Sequence, residues 1–516
     1  MAHVDHFAGG LPAEKAVLAL VFPLLLFVLL RYFAGTAWIN PERKRLPPSP
    51  PAMPLIGHLH LIAGGLPHVS LRDLAARQQG GEGLMLLRLG TVPTLVVSSP
   101  HAAQQVLRMH DRSFASRPRS VVGDILAGGD MPKKLVTTHL LTANKVRSYR
   151  AAREEEVGSV ISVIRGAAAA HEAVDMSELL SSFTNDVLCR AVAGRSFRVD
   201  GRNKVFRELI DAGMVIVGGF SLENFYPRLA KAAGGVLTWP ARRRAERLRC
   251  RWDKIFDALI DEHASKMAGE DGGGDLQESD FIRVLLSLQE EYGLTRNSIK
   301  GILADMFTAG SDTAYLVLEF AMAELMVHPD SLAKLQANVR TILPMGQETI
   351  SEENIAGMTY LKAVIKETLR LHPPSPLLVP HLSLEDCHVD NYIVPTGTTV
   401  FINAWAIGRD PMMWSVPEEF MPERFMDDKG DIDGADFRGN DFQFLPFGSG
   451  RRMCPGINFA LASIEIMLAN LVYHFDWELP EEVHSIDMTE VFGLTVRRKE
   501  KLLLIPRSSV IVPVEE

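Results

Sequence analysis

A single cysteine lies in the turn FGSGRRMCPG, which begins at Phe447. Cys454 is one of four cysteines in a chain of 516 residues, and the nearest other one along the sequence is Cys387. Disulfide frameworks and zinc sites need further ligands at short, regular spacing, and this turn offers none. A thiolate that is the one protein ligand of a larger cofactor needs no such partner. The alternative interpretation is a buried free cysteine in an arginine-rich turn.

The positions of this turn suit a haem whose iron is bound by Cys454. Gly450 and Gly456 let the backbone turn tightly and approach a flat macrocycle. Arg452 can donate charge-assisted hydrogen bonds to a haem propionate. A helix that starts just after Cys454 points backbone N–H groups toward the sulfur, which favours the thiolate. The turn therefore predicts a haem-thiolate site in which Phe447 opens the cofactor-binding loop, and such a ligand favours cleavage of the O–O bond.

A second polar group, AGSDT at residues 309–313, interrupts an apolar stretch. Polar side chains inside an apolar helix cost free energy unless they are used. Thr313 and Asp312 supply a hydroxyl and an acid that can relay protons during oxygen activation, and Gly310 leaves room for dioxygen. The alternative is a helix kink at which Thr313 donates a hydrogen bond to a carbonyl of the preceding turn.

Long helices are expected to position both groups. A helix over 299–326 is apolar around much of its circumference, so it should lie buried in the middle of the protein. A helix over 354–371 begins at Asn354 as N-cap and stops before two prolines, and a last helix covers 458–475. Two apolar runs within 83–100 predict a β-hairpin. Helix dominates the pattern, with a minor β portion at both ends.

The N-terminal region predicts a membrane anchor. Residues 16–30, AVLALVFPLLLFVLL, carry no polar side chain, and with their flanks they reach the roughly 20 residues that span a bilayer. Basic residues follow this segment, so the positive-inside rule places the body of the protein in the cytosol. A cleaved signal peptide is the alternative, but its basic residues would precede the apolar core. The expected domains are a tail over 1–15, a transmembrane anchor over 16–36, a basic, proline-rich hinge over 37–54 and a catalytic domain over 55–516.

Charge and cysteine usage narrow the class of protein further. A net charge of -9 and a pI near 6.0 argue against nucleic acid as a partner. Four scattered cysteines fit a reducing compartment. A hydrophobic content of 47% is ordinary for a globular protein with a substantial core.

The Cys454 turn, the AGSDT stretch and the proline-rich hinge together resemble the cytochrome P-450 monooxygenases. The resemblance implies a mainly α protein with the cytochrome P-450 fold, a large helical haem domain with minor β-sheets on an N-terminal transmembrane anchor. It implies haem b, with Cys454 as the axial iron ligand, Arg452 on one propionate, and Asp312 and Thr313 as the catalytic pair. His381 stands where many relatives have arginine, and it either holds the other propionate or is an exposed loop histidine.

The resemblance also implies a structural network around a helix-borne ion pair. Glu367 and Arg370 lie three residues apart on one helix face and can pair. Exposed pairs of this kind contribute little to stability. In the family they are buried with the arginine of a later motif, here Arg424 in PERF, and the network holds the cysteine loop.

Several stretches narrow the resemblance to plant enzymes of the A-type microsomal group. LPHVSLRDLAA, FASRPRS and DMTEVFG are similar to grass enzymes that oxidise indole and indolin-2-one in benzoxazinoid biosynthesis. The implied reaction inserts one oxygen atom of O₂ into a small hydrophobic substrate, with electrons from NADPH–cytochrome P-450 reductase. The implied location is the endoplasmic reticulum membrane, single-pass, with the catalytic domain facing the cytosol. The expected pocket walls, each also compatible with ordinary core, are Met306, Phe307, residues 377–379 and residues 492–494.

One expected motif is missing from the chain. The family carries Trp-x-x-x-Arg on a helix near the haem, but no tryptophan occurs between Trp38 and Trp239. Alignment from the following stretch places Lys133 at the arginine and Gly129 at the tryptophan, and lysine lacks the bidentate geometry of arginine. The explanations are a gene-model error or splice form, a tolerated deletion, or impaired haem binding. The alternative functions are therefore a catalytically impaired homologue and a reductase-independent haem-thiolate isomerase or dehydratase; the latter would lack the acid–alcohol pair that is present here.

Overall fold

The computed structural model describes residues 45–78, 82–127, 133–198, 202–218, 222–233, 238–269, 279–342, 348–432 and 434–508. The predicted tail and transmembrane anchor, and most of the hinge, lie outside these residues. Among the described helices, the one at Ile457–His474 is long and apolar enough to cross a membrane, but 72% of it is buried inside the protein, as expected of a core helix.

Helices make up most of the described chain. They are α1 Leu59–Ile62, α2 Pro67–Arg77, α3 Pro100–Gln104, α4 Val121–Ala127, α5 Lys133–Leu135, α6 Ala143–Ser148, α7 Arg150–Ala170, α8 Met176–Ala193, α9 Arg202–Gly218, α10 Leu222–Phe225, α11 Pro227–Ala232, α12 Trp239–Gly269, α13 Phe281–Ser287, α14 Arg296–Val327, α15 Pro329–Ile342, α16 Thr359–Leu371, α17 Ala404–Ile407 and α18 Ile457–His474. Short π-helical turns span Gln105–Met109 and Val136–Leu140, and 3₁₀ turns span Glu352–Gly357, Pro422–Phe425 and Gly450–Arg452.

The strands are short and form small sheets at the edges of the helical body. They are β1 Leu84–Leu89, β2 Val92–Val97, β3 Val174–Asp175, β4 His381–Leu382, β5 Cys387–Val389, β6 Tyr392–Val394, β7 Thr399–Ile402, β8 Phe475–Glu478, β9 Glu490–Phe492, β10 Val496–Arg498 and β11 Leu503–Ser508. The largest described sheet has the order β1-β2-β7-β4, in which β2 and β7 are parallel and the other pairs antiparallel. The predicted hairpin is confirmed as β1 and β2.

Helix α14 runs through the main hydrophobic core, as its apolar composition predicts. The Thr295 hydroxyl caps its first turn by accepting a hydrogen bond from the Ser298 N–H at 3.1 Å. The helix packs against α8 and α18, so it is enclosed by other helices along most of its length. The predicted bounds, 299–326, differ from the observed ones by only a few residues.

The helix expected to start at Asn354 is broken, and this expectation is wrong in detail. Glu352–Gly357 form a separate 3₁₀ turn, and α16 begins only at Thr359. Ser351, not Asn354, is the N-cap of this turn. The Ser351 N–H donates a hydrogen bond to the side-chain oxygen of Asn354 at 3.1 Å, as part of a capping box. The mainly α fold class itself is confirmed.

Candidate functional site: the Cys454 turn and the central helix

The Cys454 turn is held by its own backbone. The Cys454 N–H donates to the carbonyl oxygen of Phe447 at 2.9 Å, which closes the loop. Gly448 and Gly450 have φ values of +68° and +66°, a region that favours glycine. A Cβ at Gly450 would clash with the carbonyl oxygen of Leu107, so the turn approaches its neighbouring segment more closely than a larger residue would allow.

The start of α18 lies directly after this turn. The helix begins at Ile457, and Gly456 is its N-cap. A Cβ on Gly456 would lie 3.9 Å from the Cys454 sulfur, which shows how close the helix start comes to the thiol. The first N–H groups of a helix have no partner within it, and the positive end of its dipole favours a thiolate nearby. Cys454 is partly exposed, and it is the one described cysteine placed at a helix start of this kind.

Basic side chains meet beside the Cys454 turn. Arg117 and Arg452 donate to backbone carbonyl oxygens of neighbouring segments at 2.9 and 2.6 Å. His381 on β4 donates through Nδ1 to the carbonyl oxygen of Phe114 at 2.8 Å. Burial lowers the pKa of His381 to about 4, and the nearby charges of Arg117 and Arg452 add to this effect. Burial also lowers the pKa of Arg117 to about 10, with a smaller contribution from the charge of Arg452. The alternative of an exposed loop histidine is wrong, because His381 is buried.

This cluster carries positive charge that the described residues do not neutralise. Among the described residues, no carboxylate forms an ion pair with Arg117 or Arg452. The neighbouring carboxylate of Asp111 pairs instead with Arg451, at 2.8 Å. Carboxylate groups placed here would receive charge-assisted hydrogen bonds and relieve the mutual repulsion of the cations. The residues therefore fit the two propionates of a haem bound through Cys454.

The central helix α14 has one face that is not packed. Between Ile299 and Leu325, the side chains that are not buried all lie in the middle of the helix. They are Asp305, Thr308, Ala309, Gly310 and Thr313. Asp305, Ala309 and Thr313 are four residues apart and therefore share one side of the helix, with Thr308 and Gly310 at its edges. Because α14 packs against α18, which follows Cys454 directly, this open face and the thiol belong to adjoining elements.

Thr313 and Asp312 have different surroundings. The Thr313 hydroxyl donates to the carbonyl oxygen of Ala309 at 2.8 Å, which is the bond back to the preceding turn that the alternative interpretation describes. The oxygen keeps its lone pairs for a further hydrogen bond, so this bond leaves a proton-handling role open. Asp312 is buried and accepts a hydrogen bond from Thr495 at 2.5 Å. Burial raises the pKa of Asp312, and the bond from Thr495 opposes that rise.

Gly310 has a packing role besides the predicted one. A Cβ at this position would lie 3.4 Å from both methyl groups of Leu188 on α8. The absence of a side chain therefore lets α14 and α8 approach closely.

Among the expected pocket walls, Phe307 is fully buried and stacks on Phe206 with ring centroids 4.6 Å apart, so it is ordinary core.

The structure brings Glu367, Arg370 and Arg424 into one buried network. Arg370 donates through Nε and Nη2 to the two Glu367 carboxylate oxygens at 2.7 and 2.8 Å. Arg424 Nε and the Met421 N–H donate to Glu367 Oε1 at 2.9 and 2.8 Å. Arg370 also donates through Nη1 to the carbonyl oxygen of Gly408 at 2.7 Å. The carboxylate is thus paired on both oxygens, which burial of its charge requires.

A row of aromatic rings connects this network to the Cys454 turn. Arg370 lies over the Trp414 ring at 5.3 Å, at one end of the row. The ring centroids follow one another at 5.2 to 6.0 Å. In order the rings are Trp414, Phe425, Phe444, Phe437 and Phe447. The row gives a physical route by which the network positions the loop, because packed rings transmit displacement.

Three residues of this site carried no sequence signal of their own. Arg117 lies in FASRPRS and joins the cationic cluster only through tertiary contacts. Asp305 lies on the open face of α14, where burial raises its pKa to about 7 and Arg249 opposes the rise. Thr495 contacts Asp312, from which it is separated by 183 positions of sequence.

Of the residues aligned with the missing motif, Gly129 lies outside the described residues, and Lys133 begins α5.

A chain of buried histidines and carboxylates ties β9 to the end of α14. His372 Nε2 lies 2.6 Å from Glu324 Oε1, and His372 Nδ1 lies 3.3 Å from Glu490 Oε1 on β9. His68 Nε2 lies 3.5 Å from the other Glu490 oxygen. Burial disfavours the charged forms of His372 and Glu490, but their mutual attraction outweighs it. Glu324 and Glu490 raise the pKa of His372. His372 and His68 lower the pKa of Glu490 to about 2.

The His372→Gln variant is expected to lose stability in a pH-dependent way. Because the folded pKa of His372 is raised, its ion pairs contribute fully below the unfolded value of about 6.5 and are lost as the pH rises through the folded value. The free energy of unfolding should fall by about 3 kcal/mol near pH 6 and by less near pH 9. Denaturant unfolding at both pH values measures this difference. His101→Gln, which removes an exposed pair with Asp390, is the control, and an equal loss at both pH values would contradict the pairing.

The thiol at a helix start, the cationic cluster and the open helix face are the features that a haem-thiolate oxygenase requires. The chain belongs to the cytochrome P-450 family: residues 47–505 match the family described as Cytochrome P450. The protein is a cytochrome P-450 monooxygenase, its cofactor is haem, and its co-substrate is O₂.

Three of the relatives are monooxygenases of Zea mays. The chain is 52% identical to "indole-2-monooxygenase" of Zea mays, across 96% of this chain and 97% of the relative. It is 49% identical to "Indolin-2-one monooxygenase" of Zea mays across 95% of each chain, and 46% identical to "3-hydroxyindolin-2-one monooxygenase" of the same plant across 96% of this chain and 95% of the relative. The first comparison runs over 528 positions against 516 residues here, so that relative holds residues that this chain lacks.

Proposed function

We propose that this monooxygenase inserts one oxygen atom of O₂ into a small indole or indolin-2-one type substrate. The other oxygen atom leaves as water, with two electrons from NADPH and two protons. The electrons arrive through NADPH–cytochrome P-450 reductase, the partner of microsomal members of the family. The observation that carries this proposal is the Cys454 turn at the start of α18, within a chain about half identical to enzymes named for these substrates.

The residues of the turn would hold the cofactor. When bound, haem supplies the activation of O₂ and the transfer of one oxygen atom to the substrate. Cys454 would bind the iron as thiolate, favoured by the N–H groups at the start of α18. Arg452, Arg117 and His381 would bind the propionates. Phe447, Gly450 and Gly456 shape the loop.

Asp312 and Thr313 would deliver the protons that convert the second oxygen atom to water. Thr313 lies on the open face of α14 and keeps lone pairs for a further hydrogen bond. Asp312 is the neighbouring acid, and its raised pKa brings it closer to the range in which it can donate and recover a proton at neutral pH. A reductase-independent isomerase or dehydratase would not need this acid–alcohol pair, so its presence favours the monooxygenase.

The open face also carries a candidate for substrate recognition. Asp305 lies one helical turn before Ala309, and the residue is half-buried. An indole or indolin-2-one presents one N–H group on an otherwise apolar ring system. The Asp305 carboxyl is a suitable acceptor for that N–H. This arrangement supports a nitrogen heterocycle as substrate.

We further propose that residues 16–36 anchor the protein in the endoplasmic reticulum membrane, single-pass, with residues 37–54 as hinge. The basic residues after the apolar segment place the catalytic domain, residues 55–516, in the cytosol. This orientation gives the soluble part of the reductase access to the domain.

Turnover with labelled O₂ tests the proposed function. The full chain, in membranes with reductase and NADPH, is expected to convert indole or indolin-2-one to a product carrying one labelled oxygen atom. Asp305→Asn is expected to raise the KM for these substrates by about tenfold, because it weakens acceptance of the N–H. Binding of haem with no turnover of any compound of this type would contradict the substrate class. Absence of haem would favour the impaired homologue that the missing Trp-x-x-x-Arg segment suggests.

A further inference from the structure

The Asp312 carboxyl is directed to the C-terminal hairpin formed by β9 and β10. Asp312 is 2% exposed, and Thr495, in the turn of that hairpin, is 4% exposed. Thr495 Oγ1 donates to Asp312 Oδ2 at 2.5 Å, a short distance typical of a hydroxyl bound to a carboxylate. The acid of the acid–alcohol pair is therefore held by a residue outside α14.

The position of Thr495 is set by the hairpin and its neighbours. The Val496 N–H donates to the carbonyl oxygen of Pro374 at 2.9 Å, which fixes the strand next to Thr495. A Cβ at Gly218 would clash with the backbone of Leu494, so the end of α9 lies against the hairpin turn. The hydroxyl is thus presented to Asp312 from a rigidly packed backbone.

Charged groups from other elements also face this carboxyl. Arg497 on β10 favours its ionised form, whereas Asp211 on α9 disfavours it. Arg497 and Asp211 form an ion pair at 3.5 Å. Burial and the Asp312 charge raise the pKa of Tyr315, one turn further along α14. Among these groups, Thr495 is the one that forms a direct hydrogen bond with Asp312.

A hydroxyl is suited to a group that changes its protonation state. It donates to the carboxylate, and by rotation it accepts a hydrogen bond from the carboxylic acid. A methyl group in its place would leave the buried oxygen without a partner in either state. Threonine therefore supports both states without moving the backbone.

We propose that Thr495 is a positioning residue for proton delivery: it holds the Asp312 carboxyl in the orientation that couples reduction of O₂ to product formation. This inference deepens the proposed function and rests on the role of Asp312 in it. Residues 492–494, expected pocket walls, belong to the same hairpin. A substrate in contact with these residues would therefore act on the segment that holds the acid.

Infrared difference spectroscopy tests the contact without turnover. The Asp312 carboxyl band is identified by its loss in Asp312→Asn. In Thr495→Val this band is expected to move to higher wavenumber, and its titration to move up by about one pKa unit, because a donor to the carboxylate is lost. Thr495→Ser is expected to restore both values. Thr489→Val, which removes an exposed hydroxyl that donates to Asp487, is the matched control and should change neither.

The ratio of product formed to NADPH oxidised tests the consequence. We expect this ratio to fall by about tenfold in Thr495→Val, with peroxide released instead, and to recover in Thr495→Ser. In an Asp312→Asn background the same substitution should have little further effect, because the two residues act as a unit.

The outcomes separate this inference from the proposed function. An unchanged carboxyl band and titration in Thr495→Val would overturn the contact, whatever the substrate. A shifted band with an unchanged product ratio would overturn the positioning role. Failure of the wild-type protein to oxidise indole-type compounds would overturn the proposed substrate, and the infrared result would still decide on Thr495.

Discussion

Replacing Cys454 with serine is expected to abolish oxygenation of any substrate. A serine hydroxyl stays protonated at neutral pH, so it cannot replace a thiolate that the start of α18 stabilises. Turnover should fall by at least about 10³-fold, the scale for loss of an essential catalytic group. The measurement is product formation with reductase and NADPH, normalised to the haem bound per protein.

Cys250→Ser is the matched control, because Cys250 is exposed on α12. It should retain haem and turnover. Wild-type turnover in Cys454→Ser, with haem still bound, would show that another residue is the ligand.

Glu367→Gln is expected to have the largest effect on stability. The substitution keeps the shape of the side chain but removes the charge that balances Arg370 and Arg424 in a buried position. Breaking a buried ion pair by removing one partner costs about 3–5 kcal/mol, since the other charge stays uncompensated. The free energy of unfolding, measured by denaturant titration of the detergent-solubilised protein, should fall by this amount.

The same substitution should weaken retention of haem. The aromatic row from Trp414 to Phe447 couples the network to the Cys454 turn, so loss of the network should loosen the turn. Glu246→Gln is the control, because Glu246 pairs with Arg242 on an exposed helix face and contributes about 0.3–0.5 kcal/mol. Equal effects of the two substitutions would contradict a structural role for the buried network.

Local patterns were sufficient to predict the elements that carry the chemistry. The apolar circumference of residues 299–326 indicated a buried helix, and α14 is one. The two apolar runs around Gly90 indicated a hairpin, and β1 and β2 form it. The Cys454 turn was recognisable because its glycines, arginine and cysteine are close in sequence. In each case the information lies within one short segment.

Contacts between distant segments were not predictable in this way. Arg117 joins His381 and Arg452 only because the chain folds back over more than 260 residues. Thr495 meets Asp312 for the same reason. The break before α16 was missed because Asn354 is a good cap in isolation, whereas Ser351 completes the box in the structure. Helix and capping propensities describe a single segment, whereas the contacts between distant segments depend on tertiary packing.

The reduced, carbon monoxide-bound absorption spectrum of the unaltered, purified chain tests the central claim most directly. Ligation of haem iron by the Cys454 thiolate predicts the long-wavelength band that characterises the family, and loss of that band in Cys454→Ser. A band at the position typical of histidine-ligated haem, or an identical spectrum in Cys454→Ser, would contradict the account.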